Sequence, residues 1–179
     1  METQPRRSGI APRTLVLIII GSVIVTALVM VGVLYATGRL APAPTNRQEM
    51  VHDMGGSVMP FDLDETTHIF KMTDTGGIQQ VIAKDASDQE QIALIQQHLQ
   101  HEAMRFGMGD FGDPSTLHGE DMPGLKDLEA GAGRIQVDYT ALPAGAQITY
   151  TTQDPHLVTA LHQWFGAQLS DHGSDATDQ

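Results

Sequence analysis

Apolar and polar positions divide the chain into one uninterrupted apolar stretch and a longer part that alternates with two periods. Residues 14–36 carry neither a charge nor a proline. At 1.5 Å rise per residue they span about 34 Å, which exceeds a hydrocarbon core of about 30 Å and predicts one transmembrane helix. Cleaved secretory signals have apolar cores of only about 7–15 residues, which favours a retained anchor. Ala41 and Ala43 are small residues that keep cleavage open. Beyond the spacer at 41–45, period-2 alternation over 66–72 predicts a strand, 74–77 a turn, and 78–83 its hairpin partner. Asp85 or Ser87 can cap a helix over 88–106, whose stripe is Ile92, Ile95, Leu99, Ala103 and Phe106.

Gly107, Gly109, Gly112 and Pro114 then break the chain into a loop, and 125–130 forms a short helix. Ile135, Val137 and Tyr139 make one strand face, and Ile148 and Tyr150 the next. Asp154-Pro155 starts a last helix with the stripe Leu157, Leu161, Trp164, Phe165 and Gln168, stopped near Gly173. The order is two ββα units. It predicts an α+β fold with a four-stranded, mainly antiparallel sheet and helices on one face, behind a single N-terminal transmembrane helix. The implied organisation is a cytoplasmic N-terminus over 1–13, the anchor over 14–36, a linker with a Met/His loop over 37–60, an extracytoplasmic domain over 61–173, and a disordered tail over 174–179.

Charge orients this layout. Arg6, Arg7 and Arg13 precede the apolar stretch, while Arg39 and Arg47 follow it. The excess of positive charge on the first flank places the N-terminus in the cytoplasm and the domain in the periplasm or outside the cell. From residue 40 onward six basic side chains face 21 acidic ones, a formal charge of −15. Nucleic acid needs clustered Lys and Arg and is excluded as a partner. Cations, a basic protein partner or a membrane complex suit the surface better. The absence of Cys excludes disulfides and thiolate metal sites.

Eight His and nine Met are the residues with candidate chemistry. His118, Asp121 and Met122 lie within five positions of the glycine-rich loop, where imidazole, carboxylate and thioether can meet a metal. The bland alternative is a structured loop in which Asp caps amides and Met plugs the core. His98 and Glu102 are one helical turn apart and can share a cation or simply hydrogen-bond. His162 and His172 are ten residues apart, about 15 Å along a helix, so one ion cannot take both. His172 is either a ligand or a cap of the helix end. His52 and Met54, with Met50 and Met59, put thioethers beside imidazole, a set suited to Cu(I); Met is also a common gap-filler. His68 alternates with Phe70 and Met72, where a lone His is more often a core residue than a ligand.

Three pieces of the sequence, VMPFDLDETTHIF, GDFGDPSTLHGEDMPGL and LHQWFGAQLSDHG, resemble a family of small bacterial exported or membrane-anchored proteins. The resemblance covers about two-thirds of the chain from Val58 onward. It implies an exported single domain and marks His68, His118, Asp121, Met122 and His172 as motif members. Such proteins often carry the label aspartate carbamoyltransferase. Transferases of that kind are two-domain proteins with arginine-rich pockets, whereas this domain is short, acidic and poor in Arg.

The leading expectation is a metal-binding carrier or sensor, with copper ahead of zinc. The alternatives are a non-catalytic interaction module and, third, a hydrolase or transferase using His118 with Asp121 or Glu102 as acid and base. No GxGxxG, Walker loop, HExxH, GxSxG or CxxC motif is present, so the balance is away from an enzyme.

Overall fold

The computed structural model describes residues 12–36 and 46–179, with side chains placed from 22–34 and from 46 onward. The chain divides into two compact units, Met1–Ala43 and Pro44–Gln179. The first contributes one helix, α1 (Pro12–Ala36). Among the described residues no helix is long and apolar enough to cross a membrane. The expected fold is corrected on that point. Arg6, Arg7, Arg39 and the spacer at 41–45, on which orientation and reach rested, lie outside the described residues.

The second unit is α+β. Helix α2 (Asn46–Gly55) is followed by the hairpin β1 (Thr66–Thr73) and β2 (Gly76–Ala83), then α3 (Gln89–Gly107), α4 (Gly112–His118) and α5 (Leu125–Gly131). The hairpin β3 (Gln136–Leu142) and β4 (Gly145–Thr151) leads to α6 (Pro155–His172), and the chain ends in β5 (Ala176–Thr177). The sheet has five strands in the order β3-β4-β2-β1-β5. This overturns the expected four-stranded antiparallel sheet, because β5 pairs parallel to β1, with His68 opposite Ala176 and Ile69 opposite Thr177. The cause is local. Gly173 ends α6 at φ +56°, and its N–H bonds back to Leu169. The chain therefore reverses, and residues expected to fray cover the open edge of β1.

Register places His68, Phe70, Gln79, Val81, Ala146, Ile148 and Tyr150 on one face of the sheet. Helices α3 and α6 cover that face. Asp88 caps α3 by accepting from the N–H groups of Glu90 and Gln91, and Asp154 caps α6 ahead of Pro155. Ile95 and Leu99 of α3 and Leu157, Leu161, Trp164 and Phe165 of α6 are fully buried. Trp164 meets Phe106, Phe111 and Tyr150 edge-on, a geometry that adds to plain burial. Residues 46–55, expected as loop, are helical because the segment docks. Val51 is buried, and Arg47, Gln48 and His52 all bond to the end of α6 or just past it.

Gly124 fixes the approach of α5 to α6. It sits at φ +80°, and a Cβ there would lie 2.1 Å from the carbonyl oxygen of Ala160. Gly124→Ala is expected to destabilise the domain by roughly 2–4 kcal/mol through backbone strain and overpacking. Urea unfolding checks this. A loss below about 0.5 kcal/mol would show that the contact relaxes freely.

Candidate functional site

The covered face of the sheet does not close completely. Between β1, α3, α4 and α6 lies a cavity of about 50 Å³, room for a few waters or one small guest. Four histidines line it: His68 from β1, His98 from α3, His118 from the end of α4 and His172 from the end of α6. Glu102, Asp113 and Gln168 join them, with Met59, Phe70 and Trp164 among the apolar walls.

The elements explain the convergence. His68 faces inward because it shares a strand face with Phe70. His98 and Glu102 share the side of α3 that meets the core, and Gln168 and His172 continue the buried stripe of α6. His118 is the last residue of α4, and Gly119 at φ +93° turns the chain away immediately after it. That turn takes the loop cluster apart. His118 is buried, whereas the Asp121 side chain is 95% exposed and pairs with Lys126. Met122 is buried in the core but does not line the cavity. His52 is also elsewhere, at 3.0 Å from Asp175, and Met54 is exposed. Of the nine expected metal residues, five meet at the cavity: His68, His98, Glu102, His118 and His172.

Three of the imidazoles form a packed group. The ring centres of His68 and His172 are 4.9 Å apart, and those of His118 and His172 are 5.1 Å apart. His118 Nδ1 lies 3.0 Å from Asp171 Oδ2, and Arg47 Nη2 donates to the same oxygen at 2.6 Å. Arg47 Nη2 also lies 2.6 Å from the His118 carbonyl oxygen. Burial would raise the Asp171 pKa, but hydrogen bonds from Arg47 and His118 hold it below the usual carboxylate value. An ionised Asp171 places the ring proton of His118 on Nδ1 and leaves the Nε2 lone pair free. Asp171 gave no sequence signal, because it precedes His172 and its partners are 53 and 124 positions away.

Charge is kept out of the interior. Burial lowers His68 and His98 to about 4, lowers His118 against the pull of Asp171, and lowers His172 well below the ordinary imidazole value. Glu102 is pushed up to about 8, chiefly by burial and then by the adjacent charge of Asp113. Arg105 lies 3.3 Å from Glu102 but is engaged more closely by Asp113 at 2.8 Å and by Asp110 at 2.9 Å. The guanidinium charge is thus met by the outer carboxylates, and Glu102 keeps its proton. Among the described residues three buried atoms have no hydrogen-bond partner: His68 Nδ1, Trp164 Nε1 and Gln168 Oε1. They are an imidazole nitrogen, a donor and an acceptor with unmet capacity in a cavity wall. The other expected histidine, His162, is structural, with Nε2 3.0 Å from the carbonyl oxygens of Thr73 and Gly76.

No family model, no curated protein and no solved structure matches this chain. The function has to be argued from the cavity itself.

The shifted groups set a pH profile. Unfolded His titrates near 6.5 and unfolded Glu near 4.3. Between about pH 4 and 6.5 the unfolded chain binds protons that folded His68 and His98 refuse, so stability rises with pH there. Between about 4.3 and 8 folded Glu102 holds a proton that the unfolded chain has lost, so its contribution falls as pH rises. The imidazoles outnumber it below 6.5. Above 6.5 Glu102 is left, joined by His52, whose pKa is raised by the hydrogen bond with Asp175. Stability is expected to peak near pH 6.5 and then fall toward pH 8, by up to about 1.4 kcal/mol per pH unit for one proton. Glu102→Gln should remove most of that fall. Urea midpoints from pH 5 to 8.5 test it, and a flat wild-type curve from 6.5 to 8 would mean that Glu102 is ionised.

Proposed function

We propose that the domain holds a late transition-metal ion at His68, His118 and His172 and serves as a metal carrier or sensor. The observation that carries this reading is the packed group of three uncharged imidazoles from three different elements. With metal–nitrogen bonds of about 2.0–2.1 Å and tetrahedral angles, two imidazoles on one ion have ring centres roughly 5 Å apart. The neutral ring is also the form that ligates. Asp171 on His118 Nδ1 matches the carboxylate that commonly orients a metal-bound imidazole. Met59 on the wall adds a thioether, which favours copper over zinc.

Among the described residues no group of three His, Cys, Asp or Glu stands ready to hold an ion. Loading on this reading requires the rings to turn about their side-chain torsions until their lone pairs converge. Calorimetric titration of the full chain with Cu(I), Cu(II) and Zn(II) is expected to give a Kd below micromolar for at least one ion. His172→Ala should weaken it at least 100-fold, Asp171→Asn about 10–100-fold, and the exposed His101→Ala not at all. Affinity no tighter than about micromolar, equivalent to about 8 kcal/mol, would rule the site out.

A second reading rests on the His118–Asp171 pair, which supplies a base, beside Glu102, which supplies an acid. Among the described residues the cavity lining contains no Ser, Thr, Tyr or Lys, and in this reading water is the nucleophile. Hydrolysis of activated esters by metal-free protein, abolished by His118→Ala, would favour it.

A further inference from the structure

Trp164 and Gln168 lie one turn apart on the buried stripe of α6, and His68 of β1 stacks on His172, one turn further along. Trp164 is 0% exposed, Gln168 and His68 4% each, and all three line the cavity. Among the described residues Trp164 Nε1, Gln168 Oε1 and His68 Nδ1 have no hydrogen-bond partner. The indole nitrogen can only donate and the amide oxygen only accept, while the imidazole nitrogen does either according to its tautomer. A buried donor or acceptor left unmet is costly. A molecule that both accepts and donates is what this wall can hold.

We propose that the cavity binds a small neutral amide, of the acetamide or urea class, through Trp164, Gln168 and His68. An amide carries its carbonyl oxygen and its N–H on the two sides of one carbon, which matches a donor and an acceptor on successive helical turns. The oxygen accepts from Trp164 Nε1, and an N–H donates to Gln168 Oε1. A second N–H meets His68 Nδ1 when that ring carries its proton on Nε2. Size narrows the class. A cavity of about 50 Å³ exceeds the roughly 30 Å³ share of one water and falls well below the roughly 150 Å³ that admits benzene, so the guest has about three or four non-hydrogen atoms. Charge narrows it again. Asp113 is committed to Arg105 at 2.8 Å and Glu102 keeps its proton, so the lining offers a charged guest no free counter-charge. Met59, Phe70 and Leu99 on the other walls suit a carbon better than a further water. This goes beyond the metal reading. Trp164 and Gln168 serve the amide alone, whereas His68 is shared, so ion and amide take the cavity in turn.

Trp164 is the only Trp in the chain, so its indole N–H gives a single NMR resonance that reports on the site. Isotope-labelled full chain, kept metal-free by a chelator at neutral pH, is titrated with acetamide and, separately, with acetate as a charged control of the same shape. Acetamide is expected to shift the indole resonance saturably with a Kd of about 1 mM, a range suited to so few atoms. Acetate should leave it in place. Gln168→Leu should weaken acetamide at least tenfold while the spectrum stays dispersed, because removing an unpaired buried acceptor costs the fold little. No saturation by about 100 mM acetamide means that the cavity takes water only and overturns the proposal. Equal affinity in Gln168→Leu overturns it too, and so does equal affinity for acetate, an arm that needs no variant. Each of these failures leaves the metal reading standing, since that reading makes no use of Trp164 or Gln168 and is decided by its own titration.

Discussion

A single carboxylate oxygen joins three helices around the cavity. Asp171 Oδ2 receives Arg47 from α2 and His118 from α4 while its own backbone belongs to α6. Burial alone would favour the protonated acid, and the two donors reverse that preference. If Asp171 were neutral, the Arg47 charge would lose its partner and His118 would lose the group that fixes its tautomer. The orientation of one imidazole and the docking of α2 thus depend on one ionisation state.

The same economy of charge governs the far wall. Arg105 binds Asp110 through two nitrogens and Asp113 through a third contact, so the carboxylates nearest solvent take its charge. Glu102, almost fully buried, is left with a proton. The four imidazoles are uncharged for the plainer reason that burial disfavours the imidazolium. An interior so rich in titratable groups and so poor in charge is costly unless its lone pairs find partners. His68 Nδ1, Trp164 Nε1 and Gln168 Oε1 have none among the described residues.

Local pattern was legible, and long-range pairing was not. The stripes of α3 and α6 and both hairpins follow from periodicity and caps, which involve neighbours in sequence. β5 is two residues long and owes its existence to the edge of β1, more than 100 positions away, so no periodic signal could mark it. α2 was hidden because its burial comes mainly from Val51 and its helical form depends on contacts with the end of α6. The apolar stretch at 14–36 read clearly as a composition, but the described helix does not establish a span. In the site, His98 with Glu102 was readable as an i,i+4 pair, whereas His68 looked solitary because its companions come from other elements. The tight motif around His118 misled in the opposite sense. Closeness in sequence suggested one cluster, yet Gly119 sends His118 inward and leaves Asp121 in solvent.

Interior and surface offer different chemical groups. Among the described residues no hydroxyl, thiol or amine side chain lines the cavity, so its reactive groups are imidazoles and carboxyls. On the proposed metal reading, three neutral nitrogen donors would hold an ion away from water. The imidazoles would select by the softness and geometry of that ion, whereas surface carboxylates respond to charge alone. His172 lines both the cavity and an acidic cleft beside α2, so its place at the end of α6, just before the glycine that turns the chain into β5, links the closing of the sheet edge to the cavity wall.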